Sequence, residues 1–317
     1  MRVVLTGGSS FTGYWFARAL ADAGHDVVAT LSGSRNSESY SGIRATRVAM
    51  LQACARTWFD TPFGSESFFR VLREVAPFDI LCHHWAERRG GGAPIFDVDP
   101  VAALQANTQR LVDILRTMKD AGCGSMILTG SAFEEGEGSG DFPLRPRNAF
   151  DLSKGLTSAV CGFYCRQEGV ALDRFVIATP FGPYEERGLA NYLMQAWFAG
   201  KTAHVSEPRY VRDHMHIRQL ANCYAHFVSE SGPRGGRKIN PSGYIETLGD
   251  FARRVAQETR KRTKLGCPVS FGHQNYFMEP AIRINTTMSK ANPSIDHLAL
   301  WDEYIQHYQE VCEPPPS

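Results

Sequence analysis

A glycine-rich turn between a short strand and a helix constrains this chain most. Residues 1–5 are an apolar run rich in β-branched side chains, a turn follows at residues 6–13, and residues 14–23 have helical periodicity. Such a turn lets the backbone approach a diphosphate closely, and the N–H groups at the helix start face the negative charge. The stretch predicts a dinucleotide-binding βα unit. The turn residues that we assign to the cofactor are Gly7, Ser10, Phe11, Thr12 and Gly13.

The flanking sequence supports this prediction over an ordinary tight turn. Gly24 is suited to end the helix, and residues 25–31 form a second strand, as a parallel βαβ unit requires. Ser10 stands where the pattern usually has a glycine, and its Cβ narrows the backbone angles available. Ser32 follows the second strand where an NAD-selective site usually has an acidic residue. We therefore expect NADP somewhat over NAD, with Ser32 and Arg35 holding the 2′-phosphate.

The composition limits the classes of protein and partner. The 317 residues suffice for one large α/β domain or a main domain with a smaller lobe. There are 34 Lys and Arg against 33 Asp and Glu, so we expect neither nucleic acid nor an anionic membrane as a partner. The eight cysteines form no CxxC pair, and no metal site is expected. A strand that begins at Met1 leaves no room for a signal peptide and no apolar run is of membrane-spanning length, so we expect a cytoplasmic protein.

Polar residues follow two further predicted strands. Residues 78–84 form a buried strand that ends in His83 and His84, and residues 125–129 form another that leads to Ser131. Because ligands lie beyond the carboxyl ends of parallel strands, these residues are candidates for the site, and we assign His83 to cofactor binding. Either histidine could instead be packed and hydrogen-bonded in the core. The acidic stretch 134–141 is predicted to be a flexible, solvated loop from which one carboxylate could reach the site.

Helical patterns cover much of the remaining chain. Helices are predicted over residues 65–75, 101–120, 190–200, 247–261 and 294–311, with one more that ends near residue 167. Strands are predicted over residues 174–178 and 201–205, a turn over 240–244, and a frayed end from residue 313.

Eight short motifs along the chain are similar to those of one known family. They are the turn from Thr6 to Gly13; Asp79 to His83; Asn107; Ser131; Ser153-Lys154; Phe181-Gly182-Pro183; Arg212-Asp213 with His216 and Ile217; and Ser289-Lys290. In this order they resemble the extended short-chain dehydrogenase/reductases, the NAD-dependent epimerase/dehydratase family that includes UDP-galactose 4-epimerase and related nucleotide-sugar enzymes. The resemblance implies an α/β fold, a Rossmann-type doubly wound parallel sheet over residues 1–178 with a smaller substrate-binding lobe over 179–317. Some segments of the lobe are expected to return to the core.

The resemblance also implies roles for single residues. Lys154 would hold the cofactor ribose, Ser131 would hydrogen-bond the substrate oxygen, and Arg212 would grip the diphosphate of a nucleotide sugar. Arg88 and Asn191 are further candidates for substrate binding. Arg212 could instead be a surface ion pair with Asp213. The family commonly dimerises through helices that correspond to residues 101–120 and 151–167, so we expect a homodimer.

One position departs from the family. Its members move a substrate proton with a tyrosine four residues before the lysine, and this chain has Phe150 there. Phenylalanine cannot titrate, so another group must act: Glu134 or Glu135, which we favour, His84, or a water held by Ser131. The alternative function is a cofactor-binding protein without redox chemistry that senses the nicotinamide pool or pairs with a partner. A sensor needs no clamp for a sugar diphosphate, so Arg212 favours an enzyme.

Overall fold

The computed structural model describes residues 1–36, 38–88, 98–288 and 296–312. Elements are numbered in chain order. The strands are β1 (Arg2–Thr6), β2 (Asp26–Thr30), β3 (Arg56–Trp58), β4 (Ile80–His83), β5 (Ser125–Ser131), β6 (Ser139–Gly140), β7 (Ala171–Ile177), β8 (Thr179–Phe181), β9 (Ala203–Val205), β10 (Val211–His216), β11 (Lys238–Ile239), β12 (Pro241–Ser242), β13 (Tyr244–Thr247), β14 (Val269–Phe271), β15 (Ile282–Ile284) and β16 (Thr287–Met288). The helices are α1 (Phe11–Asp22), α2 (Gly42–Cys54), α3 (Glu66–Glu74), α4 (Pro100–Asn107), α5 (Leu111–Asp120), α6 (Ala149–Glu168), α7 (Leu189–Phe198), α8 (Ile217–Ser229), α9 (Leu248–Arg262) and α10 (His297–Cys312).

A parallel sheet with the order β11-β7-β5-β4-β1-β2-β3 forms the centre of the molecule. Successive residues of β1 face opposite cores, because side chains alternate along a strand: Val3 packs with α1 and α8, and Val4 with α3, α5 and α6. The strand order reverses around β1, and ligands bind beyond the carboxyl ends of strands at such a switch point. The predicted Rossmann-type α/β class is confirmed.

Most of the chain after residue 178 forms a second group of elements. Strand β10 pairs with β8, β13 and β15, and β15 pairs with β6. Helices α7, α9 and α10 enclose a core that includes Phe181, Trp197 and Phe251. Two later segments contribute to the larger part, because β11 joins its sheet and α8 packs against α1. The division at residue 178 stays a prediction about folding units.

The helix predicted over residues 101–120 is two helices, so that prediction was wrong. The carbonyl of Asn107 accepts a hydrogen bond from His83 Nε2 at 3.1 Å, and the Leu111 N–H donates to the Thr108 carbonyl at 3.1 Å. Arg110 then takes a left-handed backbone with φ of 50°. In a continuous helix the Asn107 carbonyl would accept from the Leu111 N–H. It accepts from His83 instead, so the helix ends at Asn107.

Three other local predictions differ from the structure. The sequence patterns did not predict helices α2 and α8 or strands such as β3 and β10. Within the turn predicted over residues 240–244, residues 241–242 form β12 and residue 244 begins β13. The acidic stretch is not simply a solvated loop, because Glu134 and Glu137 are buried and both pair with Arg174. The Ser289-Lys290 motif, the predicted helix start at 294–295 and the predicted frayed end lie outside the described residues.

No helix among the described ranges is long and apolar enough to cross a membrane. Cys312 is exposed at the end of α10, whereas Cys161 and Cys165 are buried on α6 and Cys54 is half-buried on α2.

Candidate active site

The glycine turn closes on itself through Ser10. Gly7 has a left-handed φ of 78°, and a Cβ on Gly13 would lie 2.2 Å from the Gly7 carbonyl oxygen. Ser10 is the N-cap of α1, with φ of −73°, and its Oγ accepts a hydrogen bond from Gly13 N at 3.0 Å. This extended backbone suits serine without strain. The N–H groups of Phe11 and Thr12, at the start of α1, have no acceptor within the helix and remain for an anion.

His83 uses both ring nitrogens inside the protein. The Asn107 carbonyl can only accept, so Nε2 carries the proton and donates to it at 3.1 Å. Nδ1 then accepts from the Thr6 hydroxyl at 3.1 Å, and that hydroxyl accepts from the N–H groups of His84 and Trp85. Burial lowers the pKa of His83 to about 4, so the ring is neutral. The structure thus gives His83, which we predicted to bind cofactor, a role in joining β1, β4 and α4.

His84 lies against the glycine turn. Its Nε2 is 2.9 Å from Thr12 Oγ1 and 3.2 Å from Ser10 Oγ. Burial lowers the pKa of His84 well below its usual value. Its Nδ1 is buried and has no hydrogen-bond partner in the described parts of the chain. The ring therefore orients two hydroxyls of the turn as a neutral imidazole.

Four of the predicted site residues lie at the carboxyl edge of the large sheet: Ser131, Lys154, Phe150 and Arg88. Lys154 Nζ donates to the Thr129 carbonyl at 2.7 Å, two residues before Ser131 on β5. Phe150 lies about one helical turn before Lys154 on α6, and the Arg88 guanidinium is 5.5 Å from the centre of its ring. Burial lowers the pKa of Lys154, although nearby Glu134 favours its charged form.

The two neighbouring glutamates differ sharply in environment. Glu134 is 1% exposed; its Oε1 accepts from Ser131 N at 2.7 Å and its Oε2 pairs with Arg174 at 2.8 Å. Burial raises the pKa of Glu134, and the charges of Lys154 and Arg174 oppose that shift. Glu135 is exposed, and its N atom lies 3.6 Å from where a Cβ on Gly155 would be. Glu134 thus fixes the end of β5, whereas Glu135 faces solvent beside α6.

Asp151 is an acidic residue of the site that the sequence reasoning missed. It is 1% exposed, and it accepts from Arg147 Nε at 3.2 Å. Burial raises the pKa of Asp151 to about 6, against the opposing charge of Arg147. In the sequence, only the position of Asp151 directly after Phe150 indicated a place in the site. The burial that raises its pKa depends on tertiary packing, which the sequence pattern does not show.

Two arginines of α2 contact the glycine turn and were also missed. Arg44 donates to Ser9 Oγ from Nη2 at 2.8 Å, and Arg47 donates to the Ser9 carbonyl from Nε at 3.1 Å. Arg35 instead lies over the Phe59 ring, with its guanidinium carbon 5.1 Å from the ring centre. Ser32 is half-buried just beyond β2. Residues three apart lie on the same face of a helix, so the spacing of Arg44 and Arg47 would have placed them together. That inference needed helix α2, which was not predicted.

Arg212, which we predicted to bind the diphosphate, is buried. Arg212 is 4% exposed, and its Nη2 pairs with Glu279 at 3.2 Å. Its Nη1 donates to three backbone carbonyls, those of Val211, Pro280 and Ala281. The alternative of a surface ion pair with Asp213 was wrong, because Arg212 is buried and Asp213 accepts from two backbone N–H groups instead.

Asn191 is likewise engaged within the protein. It donates from Nδ2 to the Glu186 carbonyl at 3.1 Å, and its Oδ1 accepts from the Tyr308 hydroxyl at 2.7 Å. It therefore fixes the start of α7.

The donor set of the cleft fits a nicotinamide dinucleotide. The N–H groups of Phe11 and Thr12 are available to an anion. The glycines of the turn have no side chain that would keep a ligand away from the backbone. Arg88 lies within electrostatic reach of Arg44 and Lys154, and these cations suit two phosphates. Among the described residues, no cluster of three His, Cys, Asp or Glu side chains could hold a metal ion.

Comparisons with known proteins agree with this geometry. A sequence profile of the NAD-dependent epimerase/dehydratase family matches residues 3–240. UDP-glucuronic acid decarboxylase 1 from Xenopus tropicalis is 22% identical over 274 residues, which cover 81% of this chain and 60% of that protein. The matched part thus spans less than two thirds of that relative's length.

Solved structures of similar fold cover nearly the whole chain. A tyrosine-to-phenylalanine mutant of UDP-glucuronic acid 4-epimerase from Bacillus cereus, in complex with NAD and a fluorinated UDP-sugar, has a TM-score of 0.74 at 15% identity, over 98% of this chain and 100% of that one. A dTDP-glucose 4,6-dehydratase from Streptomyces venezuelae has a TM-score of 0.73 at 18% identity, over 98% and 97% of the two chains.

Proposed function

Because the chain belongs to the NAD-dependent epimerase/dehydratase family, we propose that it is a nicotinamide-dependent enzyme that epimerises, dehydrates or reduces a nucleotide-activated sugar. The observation that carries the proposal is the arrangement of Ser131 and Lys154 beside Phe150, next to a turn that fits a diphosphate. The bound nicotinamide would supply hydride transfer. Lys154 would hold its ribose, and Ser131 would hydrogen-bond the substrate oxygen.

The proton must pass through a group other than Phe150. Of the two glutamates that we favour, Glu135 is better placed, since it is exposed and its backbone packs at Gly155, one residue after Lys154. Glu134 is held by Ser131 N and Arg174, so we assign it to positioning Ser131. The mutant epimerase from Bacillus cereus holds NAD and a sugar nucleotide with phenylalanine in place of one tyrosine, so that substitution left both ligands bound there.

The test is conversion of UDP-sugars and dTDP-sugars to epimerised, dehydrated or reduced products, measured for the wild type and four variants: Phe150→Tyr, Glu135→Gln, Glu134→Gln and Ser131→Ala. A positioned general acid or base contributes about 10²–10⁴-fold, so Glu135→Gln should lose about that much while Phe150→Tyr stays neutral or harmful. A rate gain in Phe150→Tyr with no loss in either glutamine variant would overturn the reassigned mechanism.

The contact between Arg88 and Phe150 favours a second candidate function, because a ring and a cation without a titrating hydroxyl then occupy the position of the family tyrosine. In that case the protein binds NAD(P) without redox chemistry and acts as a sensor or partner protein. Tight cofactor binding with no conversion of any nucleotide sugar, in the wild type or in Phe150→Tyr, would favour it.

We infer that the cofactor is NADP rather than NAD, and that Arg44 would hold the 2′-phosphate together with Ser32 and Arg35. Arg44 donates to Ser9 of the turn and lies over the ring of Tyr40, whose hydroxyl accepts from Gly33 N just beyond β2. Leu31 and Ser32, rather than an acidic residue that would bind a ribose hydroxyl, directly follow that strand. Loss of a charge-assisted phosphate contact costs roughly 1.5–3 kcal/mol, so Arg44→Ala should weaken NADP binding about tenfold or more. Calorimetry with NAD provides the control, and tighter NAD binding that Arg44→Ala and Arg35→Ala leave unaltered would rule the inference out.

Arg212 would bind the diphosphate of the nucleotide sugar, and it must release Glu279 to do so. The Glu279 side chain is 26% exposed and competes for the same guanidinium. Arg212→Ala should therefore weaken binding of UDP or dTDP about tenfold or more. Glu279→Gln should strengthen it about twofold to fivefold, since such ion pairs contribute ~0.5–1 kcal/mol. If neither nucleotide binds the wild type at about millimolar concentration, the substrate class is wrong.

A further inference from the structure

A buried cation near the cofactor turn has no part in the chemistry proposed above. Arg47 on α2 is 1% exposed, and a guanidinium at such depth is costly unless its donors are satisfied. The contacts that satisfy it come from two segments far apart in the chain, residue 9 and residues 184–186. Its role is therefore to join those segments.

The geometry of the three contacts is specific. Nε donates to the Ser9 carbonyl at 3.1 Å, Nη1 donates to the Tyr184 carbonyl at 2.8 Å, and Nη2 pairs with the Glu186 carboxylate. Ser9 belongs to the turn whose N–H groups would hold the cofactor phosphates. Tyr184 and Glu186 belong to the loop of residues 182–188, which leads from β8 into α7.

This loop is held in a conformation that it would not favour alone. Tyr184 has a φ of 66°, a left-handed backbone that is strained for a residue with a side chain. Its N–H donates to His307 Nε2 on α10 at 3.2 Å, and its ring contacts Trp15 on α1. Trp15 Nε1 also donates to the Pro183 carbonyl at 3.1 Å. The loop therefore depends on contacts from both parts of the molecule.

The position of the loop is passed on to the substrate side. The Glu186 carbonyl accepts from Asn191 on α7, and the Asn191 amide oxygen accepts from Tyr308 on α10. A shift at residues 184–186 would thus move the start of α7 and the residue that we assign to the substrate.

We propose that Arg47 and Glu186 form a clasp that makes binding of the cofactor and of the sugar nucleotide cooperative. The cofactor would fix the Ser9 peptide, and the sugar nucleotide would fix the loop of residues 182–188. Because the clasp joins these two segments, the ligand that binds first also orders the segment that the second ligand needs. Arg47 and Glu186 are positioning residues, because they act through the turn and the loop. The proposal rests on the proposed function, since it presumes both ligands.

The test is the affinity for UDP, measured by calorimetry with and without saturating NADPH. Coupling between sites typically changes affinity about 5- to 150-fold, so the wild type should bind UDP about fivefold or more tightly with NADPH present. Glu186→Gln should bring that ratio close to one. The Glu186 side chain is 41% exposed, so this variant should fold even where Arg47→Lys does not. The control is Glu66→Gln, which breaks the Arg110–Glu66 surface pair far from the clasp.

The outcomes separate the clasp from a merely structural ion pair. A structural role would lower the thermal midpoint of Glu186→Gln and leave the affinity ratio unchanged, and that result would overturn the proposal. A wild-type ratio near one would overturn it as well, while the proposed function would stand. If the wild type binds neither UDP nor NADPH, both fail together.

Discussion

Asp151, one residue after Phe150, is a carboxyl group kept from water. Its neighbours are Arg147, which donates to it, and Lys154 and Glu279, whose charges oppose each other. Burial raises the pKa of Asp151 from 3.8 to about 6, so the folded protein binds this proton more tightly than the unfolded chain does. Its contribution to stability is therefore fully present below about pH 4 and is lost as pH rises through about 6.

Asp151→Asn should remove this pH dependence. Between about pH 4 and pH 7, the unfolding free energy of the wild type should fall relative to that of the variant by on the order of 2–3 kcal/mol. Urea unfolding at several pH values measures the difference, with Asp120→Asn at an exposed position of α5 as the control. Parallel profiles for the wild type and Asp151→Asn would show that Asp151 has an ordinary pKa.

At the scale of elements, α1 packs closely against the turn that precedes it. A methyl group on Gly13 would lie 2.2 Å from the Gly7 carbonyl oxygen and 2.8 Å from Ser10 Oγ, so α1 would have to move away from β1. Gly13→Ala should cost roughly 1–3 kcal/mol in unfolding free energy and weaken NADPH binding. The matched control is Gly124→Ala, where a Cβ meets nothing within 4 Å. Equal melting temperatures and affinities for the two variants would contradict this account.

Elements whose signal is local could be predicted from the sequence, and those that depend on distant partners could not. The turn, β5 and α6 follow from apolar periodicity and capping residues such as Asn148. The break between α4 and α5 depends on a hydrogen bond from His83, 24 residues earlier. Likewise, the patterns at Glu134 and Arg212 showed which side chains are charged, but their burial against Arg174 and Glu279 required the tertiary structure.

At the scale of the whole molecule, an apolar surface on α4 and α6 is the proposed dimer interface. Leu156 and Phe163 lie about two turns apart on one face of α6, 38% and 55% exposed, and Val101 on the adjacent α4 is 58% exposed. Large apolar side chains grouped in this way indicate a surface covered by a partner. Because the copies would be identical, one changed residue alters both sides of a twofold interface.

Phe163→Lys should therefore convert a dimer into a monomer. Light scattering should give twice the 35.2 kDa chain mass for the wild type and the single chain mass for the variant. Tyr276→Lys is the control, since Tyr276 is an aromatic residue 70% exposed outside this surface. A monomeric wild type at micromolar concentration would rule out the proposed interface.

The exposure of Cys312 at the end of α10 gives the protein its own attachment point for a reporter dye. Cys161 and Cys165 are buried and Cys54 is half-buried, so brief treatment with a maleimide fluorophore should label Cys312 first. Helix α10 also carries His307 and Tyr308, which hold the loop at residues 182–188 and Asn191. The emission of that dye would then follow, in real time and without any engineered residue, how the end of this helix responds as each ligand arrives.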